Sequence, residues 1–488
     1  MNATASDRAA AEAPAERLAF PDGFVWGAGT AAFQVEGAIG EDGRAASIWD
    51  TFCARPGVVC NGDTGEIAAD HYHRYAEDVE LMRRIGLDAY RFSVSWPRVQ
   101  PTGAGPVNAA GLDFYDRLVD ALVSRGIDPV LTLYHWDLPQ ALQDRGGWGA
   151  RDTAARFADY AEAVAGRLGD RVALWTTVNE PWCAAFLGHA AGVHAPGLMD
   201  PALSLRAAHH LLLGHGLAVQ ALRATLGGDH EISVALNLSP VTAATDSEAD
   251  SDAARRIDGL LNRMFIEPLL LGRYPADVRE DIRHLTDCGF VRDGDEHVIA
   301  SPIDLLGVNY YSPTTVGAAK PSSVPSPWAG AAGPRSCATE EGASPWAGTD
   351  GVEFHQPEGL PRTAMGWAVQ PRGLYELLLR LHEDYPPIPL IISENGAAYD
   401  DGADGLGRVH DPQRVRYLRE HLAMTHEAIT AGVDLRGYFV WSLLDNFEWS
   451  FGYGKRFGIT HVDFENQRRS LKDSALWYRD VIAANAVT

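Results

Sequence analysis

ALWTTVNEP, residues 173–181, is an apolar and β-branched run that stops abruptly at a carboxylate and a proline. A short run of this kind suits a strand buried on both faces. The charge at its end is costly unless it meets solvent or a partner. LIISENG, residues 390–396, repeats the pattern with Glu394 in place of Glu180. Working outward, six more runs read as strands: Phe24–Ala28, Ala89–Val94, Pro129–Tyr134, Ile232–Asn237, Asp304–Asn309 and Gly437–Ser442, beside Ala173–Val178 and Leu390–Ser393 themselves. Amphipathic stretches lie between them, at Tyr75–Ile85, Leu112–Arg125, Ala154–Leu168, Ala207–Leu226 and Pro412–Ala431.

Eight such units in one chain of 488 residues predict an α/β fold, a single (β/α)8 TIM barrel with long βα loops, rather than an open sheet. Periodicity alone would also allow a doubly wound sheet. Residues 1–17 read as a disordered tail and 18–488 as the barrel domain. Ser312–Gly359, rich in Pro, Ser, Gly, Ala and Trp, reads as a long loop after the sixth strand, a lid or a mobile segment.

The net charge of -24 argues against nucleic acid or an anionic membrane surface as partner. Only Lys320, Lys455 and Lys472 are lysines. The five cysteines, Cys53, Cys60, Cys183, Cys288 and Cys337, are scattered without a CxxC pair. Neither a disulfide framework nor a zinc site follows, and Cys53 and Cys60 are expected as two free thiols in a loop. The first twenty residues lack the apolar core of a signal peptide, and no stretch reaches the ~20 apolar residues of a membrane span. A cytoplasmic protein is expected.

The chemistry concentrates just after the strands, where a barrel of this type builds its site. One strand-end glutamate would be read as a cap or salt-bridge partner. Glu180 and Glu394, on opposite sides of one barrel mouth, fit a glycosidase pair.

From about Phe20 to about Ala484 the chain resembles glycoside hydrolase family 1. The resemblance rests on TTVNEPW (176–182) and ISENGA (392–397), with GTAAFQVEGA (29–38), YRFSVSWPR (90–98), LTLYHWDLPQAL (131–142), GVNYYSP (307–313), MGWAVQPRGLY (365–375) and WSLLDNFEWSFGYGKRFGITHVDF (441–464) in order around them. It implies a retaining β-glucosidase working by double displacement. Glu394 would be the nucleophile and Glu180 the general acid/base, the charge of Glu394 raising the pKa of Glu180. Arg91 resembles the arginine that keeps the nucleophile ionised, and Tyr311 its hydroxyl donor. Asn179 is similar to the residue that binds the sugar 2-hydroxyl. Gln34, His135, Asn309 and Glu448 match polar residues of the sugar site, Trp136, Trp441 and Trp449 its aromatic walls. Trp367 resembles the aglycone platform and Phe457 the end of the glycone site.

No cofactor and no metal are expected: His71, His73, His209, His210 and His215 match no strong ligand spacing. Trp26, Trp49, Trp96, Trp175 and Glu36 read as structural, and Cys183 as a buried thiol near the aglycone entrance. The acidic runs Asp246–Asp252 and Asp400–Asp404 read as solvated loops. The expected partners are β-glucosides or cello-oligosaccharides, with β-fucosides and β-galactosides as further substrates and a homo-oligomer as one possible assembly. The competing readings are a 6-phospho-β-glycosidase, which by resemblance would carry Ser at 448 and Tyr at 457, a non-catalytic sugar-binding relative, which would lack one of the glutamates, and a transglycosylase.

Overall fold

The computed structural model describes residues 17–228, 230–319 and 343–487. Eight parallel strands close into a barrel: β1 (Val25–Gly29), β2 (Ala89–Ser93), β3 (Asp128–Tyr134), β4 (Leu174–Asn179), β5 (Glu231–Asn237), β6 (Leu305–Asn309), β7 (Leu390–Asn395) and β8 (Leu435–Trp441). β8 pairs with β1 from Gly437↔Val25 to Trp441↔Gly29 and seals the ring. Helices cover the outside, the principal ones being His71–Ile85, Ala109–Val123, Asp152–Leu168, Pro201–Leu226, Pro371–Asp384, Pro412–Thr430 and Asp473–Ala484.

All eight predicted strands are present within a residue or two. They are legible because each is covered on both faces: by helices outside and by the other strands within. Inside, a plug of Ala89, Val130, Leu174, Leu305, Ile391 and Phe439 fills the end of the barrel away from the site. Phe439 needs the missing side chain of Gly27, whose Cβ would lie 2.3 Å from its ring. Trp26, Trp49, Trp96 and Trp175 are among the largest fully buried side chains.

Four expectations need correction. The segment after β6 is not one loop: Thr314–Ala318 pairs with Val352–His355 and with Val241–Ala243 in a small sheet above the barrel. Its middle, 320–342, lies outside the described residues, as do Lys320, Cys337 and tail residues 1–16. Most of Asp246–Asp252 is helical, because Ser247 caps the helix Glu248–Asp258 and places Glu248 and Asp250 in its first turn, where acidic side chains suit the macrodipole. The side chain of Asp401 is buried, held by Arg414 and Lys472. Cys60 is disulfide-bonded, so the expectation of a free thiol holds for Cys53 alone of that pair.

Glu36, read as structural, and two of the histidines without ligand spacing have close partners. Glu36 accepts from Arg98 Nε at 3.0 Å and from the Tyr115 hydroxyl at 2.7 Å. His71 pairs with Asp78 at 2.8 Å and His209 with Asp295 at 3.0 Å.

Candidate active site

The strand ends deliver the site. On β2 the side chains of Ala89 and Arg91 point the same way, as period two requires; Ala89 joins the plug and Arg91 rises above it. Arg91 pairs with Gly29, and Gly29 with Trp441. A Cβ on Gly29 would stand 3.3 Å from the Trp441 ring and 3.9 Å from Arg91 Nη1, so the glycine leaves this level of the barrel open. Along β7, Ile391 enters the plug and Ser393 faces the axis towards Asn309. Strict alternation would turn Glu394 outward. The register slips between Ile392 and Glu394, and this irregularity re-aims the carboxylate into the mouth.

Glu394 is buried and receives two donors: Arg91 Nη1 on Oε1 at 2.6 Å and the Tyr311 hydroxyl on Oε2 at 2.6 Å. Burial and the neighbouring Glu394 push the Tyr311 phenol well above its ordinary value, so it keeps its proton to donate. The other nitrogen of Arg91, Nη2, donates to Asn179 Oδ1 at 2.6 Å, and Asn309 Nδ2 donates to the same oxygen at 3.1 Å. Two donors on Oδ1 orient the Asn179 amide. Its Nδ2 therefore faces His135 Nε2 at 3.1 Å, which accepts and leaves the imidazole proton on Nδ1. Burial, then the charge of Arg91, hold His135 well below its ordinary pKa and keep it neutral.

Glu180 follows β4 directly, with its backbone N–H on the Ala235 carbonyl at 2.8 Å. It forms no ion pair among the described residues; Asn309 Nδ2 donates to Oε1 at 2.8 Å. Its pKa is raised to about 8, burial contributing first and the charge of Glu394 second. Only the second cause is legible in the sequence. Glu180, Trp136 and Trp449 all adopt left-handed backbone, at φ 47°, 77° and 48°, a region that favours glycine.

All the expected residues except Gln34, Asn179 and Arg91 border one cleft of about 1040 Å³ counted to its open mouth. Those three stand behind its wall. Gln34 Nε2 donates to Asn446 Oδ1 at 3.0 Å, to the Phe447 carbonyl at 2.9 Å and, weakly, to Glu448 Oε2 at 3.4 Å. The pKa of Glu448 is also raised to about 8, by burial and then by Glu394. It is therefore largely protonated at neutral pH, able to donate as well as accept, where the sequence reading treated it as a carboxylate. No Lys or Arg among the described residues borders the cleft.

The sequence reading missed Asn237, Trp346, His194 and Met365, which line the same cleft. Asn237 could have been found, since it ends a recognised strand; Trp346 sits in a segment without periodicity. Cys183 borders the cleft, its thiol pushed well above the ordinary value by burial and the Glu180 charge.

Comparison with known proteins agrees with this geometry. The thermostable β-glucosidase B of Thermobispora bispora is 52% identical over 99% of this chain and 95% of its own length. A bifunctional β-D-glucosidase/β-D-fucosidase of Bifidobacterium breve is 48% identical over 96% and 98%. The crystal structure of a psychrophilic β-glucosidase from Micrococcus antarcticus superposes with a TM-score of 0.91 at 50% identity, covering 96% of this chain and 98% of that one. The family 1 β-glucosidase of Thermotoga maritima gives 0.89 at 43%, over 97% and 100%. Glycosyl hydrolase family 1 matches residues 16–487, and the chain belongs to that family.

Proposed function

We propose that the protein is a retaining β-glucosidase that removes terminal non-reducing β-D-glucosyl residues, with Glu394 as nucleophile and Glu180 as acid/base. The observation that carries this is the unequal treatment of two buried carboxyls in one cleft. Glu394 is met by a guanidinium and a phenol, which favour a charged, oriented nucleophile. Glu180 has a raised pKa of about 8, which suits a proton donor at neutral pH. In the first step Glu394 Oε bonds to the anomeric carbon while the leaving oxygen takes the proton of Glu180. Esterification then removes the charge on Glu394, Glu180 becomes more acidic, and it takes a proton from the incoming water, whose oxygen bonds to the anomeric carbon as the ester bond to Glu394 breaks.

Asn309, His135 and Glu448 hold the sugar hydroxyls, Glu448 at the 4- and 6-positions; Gln34 and Asn179, behind the wall, support that site through their hydrogen bonds to Glu448 and His135. Trp136, Trp441 and Trp449 pack on the C–H faces. Phe457 closes the glycone end and Trp367 stands on the aglycone side. β-Fucosides are secondary substrates, supported by the Bifidobacterium breve relative, with β-galactosides beside them. Cellobiose and short cello-oligosaccharides are the proposed natural substrates and the cytoplasm the proposed setting; the free thiols of Cys53, Cys183 and Cys288 favour it and the disulfide at Cys60 counts against it.

A 6-phosphoglycoside is disfavoured because, among the described residues, no Lys or Arg borders the cleft to meet the dianion. The test is kcat/KM on the nitrophenyl β-glucoside, β-galactoside, β-fucoside and 6-phospho-β-glucoside. Preference for an unphosphorylated glycoside is expected. Turnover of the phosphorylated substrate alone would overturn the glycone assignment, and no turnover of any would make this a binding protein.

A further inference from the structure

Residues 445–458 form a tongue after β8 that carries both Glu448 and Phe457 into the cleft. Its two ends meet at Asp445, which is fully buried. Asp445 Oδ1 accepts from the Gly458 backbone N–H at 3.0 Å and from Lys472 Nζ at 2.8 Å. Oδ2 accepts from Arg456 Nη1 at 2.8 Å and, at 3.4 Å, from the Val462 N–H. The residues on either side of Phe457 are thus both bonded to one carboxylate. The approach is close: a Cβ on Gly458 would lie 2.1 Å from the Asp445 nitrogen.

The carboxylate belongs to a larger ionic cluster. Lys472, itself buried, also donates to Asp401 Oδ1 at 2.8 Å. Arg414 donates to Asp401 at 2.5 Å, to Asp411, to the Ala397 carbonyl at 3.2 Å and to the Arg456 carbonyl at 2.6 Å. Three acids face three bases: Asp401, Asp411 and Asp445 against Arg414, Arg456 and Lys472. Burial alone would raise Asp445, yet Lys472 and Arg456 hold it below its ordinary value. A buried ionic cluster returns little net stability compared with apolar packing, and its best-attested use is to fix one arrangement over others. Here the arrangement it fixes is the tongue.

We infer that Asp445, clasped by Arg456 and Lys472, is a positioning residue that sets Glu448 and Phe457 against the sugar's C4–C6 edge and so governs discrimination there. The inference rests on the proposed role of Glu448 in binding those hydroxyls. A displacement of about 1 Å in such a contact can cost about 100-fold in rate.

The test compares kcat/KM on an aryl β-glucoside and on the corresponding aryl β-xyloside, which lacks the C6 hydroxymethyl group. The variants are Asp445→Asn, Arg456→Gln, which breaks one strand of the clasp at a partly exposed residue, and Glu448→Gln as reference. Thermal unfolding establishes that each is folded. Both clasp variants are expected to lose ~100-fold on the glucoside and ~10-fold or less on the xyloside. Equal losses on the two substrates would overturn the inference and leave the cluster as scaffold. Should Asp445→Asn fail to fold, Arg456→Gln decides by the same ratio. A ratio that falls in Glu448→Gln but in neither clasp variant refutes the positioning role alone. A ratio that falls in the clasp variants but not in Glu448→Gln refutes the Glu448 reading and leaves positioning through Phe457. A ratio unchanged in all three refutes both.

Discussion

Replacing Glu394 with Gln should lower the pKa of Glu180 from about 8 to ~6. Paired carboxyls of retaining glycosidases stand ~5 Å apart. At an effective dielectric constant of ~20 one charge then opposes ionisation of the other by ~3 kcal/mol, a factor of ~100 in the ionisation constant. The pKa should not return to an ordinary carboxyl value, because burial is the larger cause of its elevation and the substitution leaves burial intact. Gln also leaves Arg91 without its carboxylate, and that cation already pulls Glu180 downward, so ~6 is a ceiling. The assay is a ¹³C-carboxyl NMR titration of the variant, with Glu180→Gln as the blank. The wild type is compared through kcat/KM, which should fall as pH rises through about 8, where Glu180 and Glu448 both lose their protons. A pKa that stayed near 8 would mean the two carboxyls are electrically independent, and would refute the account given for the acid/base.

Glu394→Ala should lose at least ~10⁴-fold in turnover, since the covalent route disappears, and azide should restore activity with inversion at the anomeric carbon; retained hydrolysis without azide would remove Glu394 from the nucleophile's role. Glu180→Ala should leave the first step nearly intact for dinitrophenyl glycosides and cut it ~100-fold or more for alkyl ones, which need the proton; Brønsted analysis of leaving groups reads this, and equal losses would argue against an acid. Phe439→Ala should cost about 3–5 kcal/mol in chemical denaturation, because the ring fills the plug against Gly27; a loss under ~1 kcal/mol would show that the plug collapses on itself.

The barrel strands were readable one by one because burial on both faces leaves a local signature in four to seven residues. Glu180 and Glu394 were readable as carboxyls out of place at strand ends. Their partners were not. Arg91 and Glu394 are 303 residues apart, and no local period carries that distance; only resemblance linked them. The register slip that turns Glu394 inward is likewise invisible, since ISEN reads as regular alternation. The helix Pro371–Asp384 went unlisted among the amphipathic stretches although its apolar positions, Leu374, Leu377, Leu378 and Leu381, follow helical spacing. Asp401 looked like surface because an acidic run usually is. Only the fold brings Arg414 and Lys472 to it.

The left-handed backbone at Trp136, Glu180 and Trp449 has an evolutionary corollary. Each residue occupies a conformation that costs an ordinary side chain on the order of 1 kcal/mol or more and costs glycine nothing. At Glu180 selection for foldability and selection for catalysis therefore point to different amino acids, glycine for the backbone and glutamate for the chemistry. At Trp136 and Trp449 the two agree, because removing a buried indole costs about 3–5 kcal/mol and outweighs the strain. Persistence of Glu at 180 in descendants of this chain would record that turnover, rather than folding alone, has been under selection.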